Sequence, residues 1–273
     1  MSEENWLEEA SLVVVSDLHI KNIHDDNGRL FLRFLDNLMA CKIDCLVLIG
    51  DVFDFILGSK RFYHKKFEPI GNALMKLAQK GVRIVYLEGN HEFMLKSLGW
   101  KGIEFIDSCS DGLIIPLEGG RKVKIGHGDL IYSSLVYRSF RAIVKSRLFL
   151  LLVNLLPGRL IDYFSIKGSQ ASRSQDKYRP ILHDEILEAA ELWARRSGCD
   201  FCLFGHFHVP YYEKMKSGEG YLISLSHWES QPSFLAFSNG RFVRLGIGFK
   251  RDGLDFFKAT DFSKGVSEQG SDY

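Results

Sequence analysis

The sequence predicts an α/β fold built on a layered sheet, and three observations carry that expectation. Short apolar runs each end in a small-residue turn, helical periods lie between them, and strand, helix and strand alternate through the first half of the chain. The first run, residues 12–15, is continuous rather than alternating, the mark of a strand covered on both faces, and it closes on Ser16-Asp17. A helical period follows over about 29–39, where Leu30, Phe31, Phe34, Leu35 and Leu38 share one side. Residues 45–49 read as a second strand ending at Gly50-Asp51, and residues 69–79 as a second helix stopped by Gly81. Three more runs, 82–87, 123–125 and 201–204, end at Glu88-Gly89-Asn90, Gly126-His127 and Gly205-His206. In open α/β sheets ligands gather at the carboxyl ends of strands, where all five turns sit.

Residues 130–196 read differently, as helices with Leu-rich faces and a loop at about 167–179, and are expected to form a helical insertion over the site. Short β-like runs return at 211–215, 220–224, 234–237 and 242–245, with Ser238-Asn239-Gly240 as a turn between the last two. From Arg251 the chain is polar and dotted with Gly and Ser, and is expected to fray. The expected organisation is one domain over residues 10–250, the insertion at 130–196 inside it, and a tail at 251–273.

A chain of 273 residues that is 46% hydrophobic can bury one sizeable core. Its 35 basic and 34 acidic residues nearly cancel, and no broad basic face stands outside the insertion, so a nucleic-acid partner is not expected. The acidic, polar start lacks the basic and apolar regions of an export signal. The longest apolar stretch, 148–156, is broken by Asn154 and falls well short of the roughly 20 residues of a spanning helix. Five cysteines, an odd number outside the motifs, fit a reducing cytoplasmic setting. Cys199 and Cys202 are read as packing thiols on opposite faces of a strand.

The chemistry is concentrated in five motifs: Asp17-x-His19, Gly50-Asp51-x-x-Asp54, Gly89-Asn90-His91-Glu92, Gly126-His127-Gly128-Asp129 and Gly205-His206-x-His208. Carboxylate, amide and imidazole donors suit divalent cations, and a two-metal hydrolase holds its ions about 3.5–4 Å apart with a carboxylate between them. Any one motif alone is compatible with a surface turn. Five in one chain, each after a β run and together using five of its nine histidines, point to a dinuclear site. Spacing alone leaves the metal open among Mn²⁺, Fe, Zn²⁺ and Co²⁺.

In this order the motifs resemble the signature of the calcineurin-like metallophosphoesterase family, D-x-H, G-D-x-x-D, G-N-H-[ED], H and G-H-x-H, over roughly residues 12–210. The resemblance implies a four-layer α/β/β/α sandwich and two divalent ions, usually Mn²⁺. It implies Asp17, His19, Asp51 and His208 around one ion, and Asp51, Asn90, His127 and His206 around the other, with Asp51 bridging. Water between two cations loses a proton near neutral pH and attacks phosphorus in line. His91 then stands as the acid that protonates the leaving oxygen, the competing reading being a hydrogen bonder only. Asp54 and Asp129 are expected to orient ligands from behind. Of the remaining histidines, His24, His64 and His183 read as surface residues and His227 is undecided.

Between Leu130 and Ile161 there is no acidic residue, while Arg138, Arg141, Lys145, Arg147 and Arg159 surround the apolar run 148–152. That pattern suits an interfacial helix at an anionic membrane or an apolar pocket with a phosphate-attracting rim; an ordinary core-packing helix with a solvated basic side is the competing reading. The loop at 167–177 supplies Ser172, Arg173 and Lys177 as candidate contacts to a sugar or diphosphate.

With this insertion the chain is similar to the bacterial UDP-2,3-diacylglucosamine diphosphatase branch of that family, which cleaves a pyrophosphate bond in lipid A synthesis beneath a helical, lipid-accommodating cap. Residues 50–58, Gly-Asp-Val-Phe-Asp-Phe-Ile-Leu-Gly, and His127-Gly-Asp129 carry the similarity. It implies an amphiphilic, nucleotide-linked substrate contacted by Tyr137 and Arg138, and a place at the inner face of the cytoplasmic membrane. The sequence departs from that branch at His91, where the branch carries Arg, and at 133–138, which lacks its acid and sets Tyr137 about one position out of step. A metallophosphodiesterase or nucleotidase acting on a soluble substrate is the alternative enzyme. A membrane-docking scaffold, which typically loses ligands, is the distant one.

Overall fold

The computed structural model describes residues 10–108, 111–165, 167, 184–218, 220–229, 232–250 and 253–258. Among these, the first sheet runs β14-β13-β12-β1-β2-β4-β6. Its parallel half comprises β1 (Leu12–Val15), β2 (Cys45–Leu48), β4 (Arg83–Leu87) and β6 (Ile103–Ile106). Its antiparallel half comprises β12 (Ser233–Ser238), β13 (Arg241–Lys250) and β14 (Gly253–Lys258). The second sheet runs β10-β11-β9-β8-β7, from Tyr211–Lys214, Tyr221–Ser224, Phe201–Phe204, Lys122–Gly126 and Leu113–Pro116 in that order. A small parallel pair, β3 (Ile56–Leu57) and β5 (Glu92–Phe93), stands apart.

Alternation along the strands assigns the layers, because successive side chains point to opposite faces. Leu12 and Val14 of β1 face Val123, Ile125, Leu203 and Ile223 of the second sheet, so one core lies between the sheets. Val13 and Val15 face the other way, into a core with Phe31, Phe34 and Leu35 of α1 (Asp26–Leu38) and Ile70, Leu74 and Leu77 of α3 (Glu68–Gln79). On the far side α7 (Asp184–Arg195) lays Ala190 and Ala194 over Cys202, Phe204 and Leu222. The result is the expected α/β/β/α order. Helix α1 starts at Asp25, whose carboxylate accepts the Gly28 amide at 2.6 Å, and α3 starts with Pro69 in its first turn.

The predicted strand at the end of the domain continues where fraying was expected. Residues 253–258 pair antiparallel with β13, and Phe256 packs edge-on against Phe234 at 5.4 Å between ring centres. The apolar alternation there is short and diluted by Gly, Asp and Lys, and becomes a strand only because β13 offers a free edge. Cys199 and Cys202 pack as thiols, as expected, but not on opposite faces: Cys199 precedes β9 and both join the core beneath α7. The edge strands β6 and β7 were not foreseen.

The insertion supplies α4 (Leu135–Val144), α5 (Arg147–Leu155) and α6 (Gly158–Ser165), the last two meeting at 115°. No single helix among the described residues is long and apolar enough to cross a membrane. The group rests on α2 (Arg61–Lys66) through Ile161, which is buried, an ion pair between Lys66 and Asp162 at 2.6 Å, and hydrogen bonds from Ser59 and Lys60 to Asn154. Its outer side is apolar and open to solvent: Leu135, Val136, Leu148, Leu151, Leu155 and Phe164 are each 64% exposed or more.

Candidate metal centre

The five turns meet in space because their strands are neighbours. Asp17 and His19 follow β1, Asp51 follows β2, Asn90 follows β4, His127 follows β8, and His206 and His208 follow β9. Main-chain bonds zip the turns together, Asp17 N to Gly50 O, His19 N to Asp51 O and Gly205 N to His127 O. Glycine permits this approach. A Cβ on Gly89 would overlap the Asp51 carboxylate, and one on Gly205 would overlap Ser16 Oγ and the Asp17 carboxylate. Among the described residues seven non-glycine residues have positive φ, and five of them are Asp17, His19, Asp51, His206 and His208. Such backbone strain persists only where surrounding structure enforces it, and it concentrates at working sites.

Two clusters of donors result. Asp17, His19 and His208 form one, with His19 Nε2 3.3 Å from His208 Nε2, and His208 Nε2 3.4 Å from Asp17 Oδ1. Asp51, His127 and His206 form the other. Asn90 Oδ1 lies between its two imidazoles, 2.8 Å from His127 Nε2 and 3.1 Å from His206 Nδ1, while Asp51 Oδ2 is 3.5 Å from His127 Nε2.

These donor sets fit cations. The Nδ1–H of His127 donates to Ile49 O at 2.8 Å, which leaves the lone pair on Nε2, facing the oxygens of Asn90 and Asp51. Lone pairs facing lone pairs require a proton or a metal between them. His19 Nδ1 is buried with no hydrogen-bond partner, and the nearest carboxylate oxygen on that side, Asp54 Oδ1, is 3.9 Å away.

The electrostatics say the same. Burial would raise Asp17, but the hydrogen bond and charge of His208 prevail and hold its carboxyl at about 2. Burial alone would also lower His127, yet the Asp51 carboxylate pushes it up to about 10, a proton standing in for a cation. Burial brings His206 down to about 4 and His19 well below the usual imidazole range.

His91 lies at the edge of the second cluster. Its Nδ1–H donates to Asp54 O at 2.9 Å, its main-chain N–H donates to Asp51 Oδ1 at 3.0 Å, and its Nε2 lies 3.9 Å from Asp51 Oδ2 with the side chain 22% exposed. Asp129 lies behind His127 and is tied to Tyr137 Oη at 3.1 Å and Arg141 Nε at 2.5 Å. Arg138 stays at the surface, donating to Ser133 Oγ. Ser172, Arg173, Lys177 and His183 lie outside the described residues. His24 is exposed, whereas His64 is half-buried and bonded to Gly58 O. His227 stacks on His208, ring centres 5.0 Å apart.

Arg141 and Lys145 need correcting. Both were counted in a basic face of the insertion, but both are turned inward, Arg141 onto Asp129 and Lys145 onto the 89–92 turn. A helix read alone does not show which stripe meets the body. Glu92 is the residue whose part the motif did not reveal. It accepts the amides of Val52, Phe53 and Gly89 and the Tyr86 hydroxyl, and so pins the Asp51 and Asn90 turns to one buried carboxylate.

A family model described as calcineurin-like phosphoesterase matches residues 10–210. The UDP-2,3-diacylglucosamine hydrolase of Aliivibrio fischeri (strain MJ11) is 29% identical over 237 residues, covering 84% of this chain and 95% of that protein. The protein of the same name from Vibrio cholerae serotype O1 (strain ATCC 39315 / El Tor Inaba N16961) is 28% identical over 232 residues, covering 82% and 93%. Among solved structures, wild-type Vps29 of Entamoeba histolytica with Zn²⁺ aligns at a TM-score of 0.45 and 13% identity, covering 90% of this chain and 96% of that one.

Proposed function

The chain belongs to the calcineurin-like phosphoesterase family and is a metal-dependent hydrolase of phosphoester or phosphoanhydride bonds, and from that premise we propose that its substrate is amphiphilic and nucleotide-linked, of the UDP-2,3-diacylglucosamine kind, cleaved at its phosphoanhydride. The observation that carries this reading is the apolar, solvent-open side of α4, α5 and α6, on a helical group whose inner face reaches the site turns through Arg141 and Lys145. A soluble substrate gives no reason to leave so many large apolar side chains in water. The names of the relatives point the same way.

In this reading Asp17, His19, Asp51 and His208 hold one divalent ion, and Asp51, Asn90, His127 and His206 hold another, with Mn²⁺ the metal in the cell. Bound there, the pair would polarise the phosphoryl oxygens and lower the pKa of an attacking water. The chain's own groups do the rest. Ile49 O fixes the His127 tautomer, and Asp54 O fixes that of His91, so that His91 Nε2 can carry a proton to the leaving oxygen. Asp129, held by Tyr137 and Arg141, keeps a negative charge behind His127.

The exposed cations Arg138, Arg147 and Arg159 rim the apolar side, an arrangement suited to acidic lipid headgroups and to a peripheral place on the cytoplasmic face of a membrane. The test is product identification by mass spectrometry with Mn²⁺. Release of UMP from UDP-2,3-diacylglucosamine, with little turnover of bis(p-nitrophenyl) phosphate, is expected; the reverse would assign the enzyme to soluble phosphodiesters. Flotation with anionic liposomes should be lost on changing Arg138, Arg147 and Arg159 together to Glu, and unchanged flotation removes the rim from the explanation.

A further inference from the structure

Helix α4 is amphipathic in the reverse of the usual sense. Leu135, Val136, Phe140 and Ile143 are at least 60% exposed, while Tyr137, Arg141 and Lys145, spaced four apart and so on one face, turn inward. The last of them reaches furthest. Lys145 Nζ donates to Gly89 O at 3.0 Å and to Glu92 O, lies 3.7 Å from Glu88 Oε2, and sits 4.2 Å from the centre of the Phe93 ring, its side chain only 8% exposed.

An ammonium group buried to that degree loses much of its hydration, and burial pushes Lys145 down from the usual lysine range even with Glu88 opposing. Its compensation comes chiefly from two main-chain carbonyls, and the residues that own them bracket Asn90 and His91. Asn90 Oδ1 bridges His127 and His206, and His91 Nε2 faces Asp51. Glu92 holds the turn from within through the amides of Val52, Phe53 and Gly89, and Ile56 N donates to His91 O.

We infer that Lys145 is a positioning residue that clamps the 89–92 turn from the helical cap, fixing where Asn90 and His91 stand, so that cap and metal centre move as one unit. The inference rests on the roles given to Asn90 and His91 under the proposed function. Placement of this kind matters because a displacement of about 1 Å at a reacting group costs about 100-fold in rate.

The test compares Lys145→Met with Lys66→Met. Lys66 ties α2 to the cap through Asp162 with similar burial, but is not bonded to the 89–92 turn. Both variants should lose some thermal stability. Only Lys145→Met should speed hydrogen exchange at the amides of residues 89–93 and lower Mn²⁺ retention after dialysis. On bis(p-nitrophenyl) phosphate or the acylated substrate, whichever the wild type cleaves, its kcat should fall about 10- to 100-fold while KM moves less than about threefold. Lys145→Arg, which can still donate to both carbonyls, should recover most of that loss.

Wild-type exchange at 89–93 in Lys145→Met, or the same response in both variants, overturns the inference. Should Lys145→Met fail to fold, Lys145→Gln carries the comparison, since its amide nitrogen ends one bond short of the lysine ammonium and carries no charge; unaltered exchange there is equally fatal. Exchange is read without substrate. An enzyme that ignores UDP-diacylglucosamine therefore refutes the substrate reading while leaving the clamp to stand or fall on its own measurement.

Discussion

At the scale of single residues, the proposed function separates side chains that would hold the ions from one that would move a proton. Asp51 is close to both donor clusters, its carboxylate 3.5 Å from His127 Nε2 and its charge felt by His19. Asp51→Ala should therefore abolish turnover and metal retention together, checked by activity and elemental analysis on one sample. His91 is different, since its ring is anchored on Asp54 O and reaches the centre only with Nε2. His91→Ala should keep the ions and slow catalysis by about two to four orders of magnitude, the range for a lost acid catalyst. A near wild-type rate strikes His91 from the mechanism. These residues were legible in the sequence because each sits in a turn at the end of a β run, and Asp51, Asn90, His127 and His206 lie directly beside a glycine. Glu92 was not, because its four donors come from residues 52, 53, 86 and 89, and no spacing records that they converge.

At the scale of elements, the cap helices invert the rule that apolar stripes face inward, and two outcomes follow. Leu148, Leu151 and Leu155 are 69%, 64% and 78% exposed, so changing all three to Gln should leave the melting temperature within about 2 °C. The same change should raise KM for an acylated substrate about tenfold or more while sparing a small phosphodiester; equal effects on both would deny the apolar side a part in recognition. Arg141→Leu should act in the opposite direction. It leaves the Asp129 carboxylate buried without its cation, at a cost of about 3–5 kcal/mol, visible in thermal or denaturant unfolding. Helix α4 shows why part of the cap was misread: its basic residues were visible, but the partners that decide their direction lie 12 residues away in Asp129 and 33 to 56 residues away in Ser108 and the 89–92 turn. Strand β14 was hidden in the same way, since Phe256 becomes a core residue only when β13, α1 and Phe234 surround it.

At the scale of the whole molecule, two sheets from distant parts of the chain must close before the centre exists, and its protons record that closure. His127 is raised from 6.5 to about 10 chiefly by Asp51 acting against burial, so in the metal-free fold its proton adds stability that is present in full below about pH 6.5 and is lost as pH rises through about 10. A metal ion needs that nitrogen neutral. Mn²⁺ affinity should thus rise by up to about tenfold per pH unit across this window, and calorimetry in buffers of different ionisation heat should show a proton leaving on binding. Affinity that is flat with pH would mean the proton is elsewhere.

The left-handed backbone at Asp17, His19, Asp51, His206 and His208 bears on how this protein can be made sturdier. Each such residue sacrifices about 1–2 kcal/mol relative to a relaxed chain. Any search that rewards heat tolerance alone will drift toward glycine at these five positions and return hardy, inert molecules. Selection for endurance should therefore always be run with turnover as a second demand.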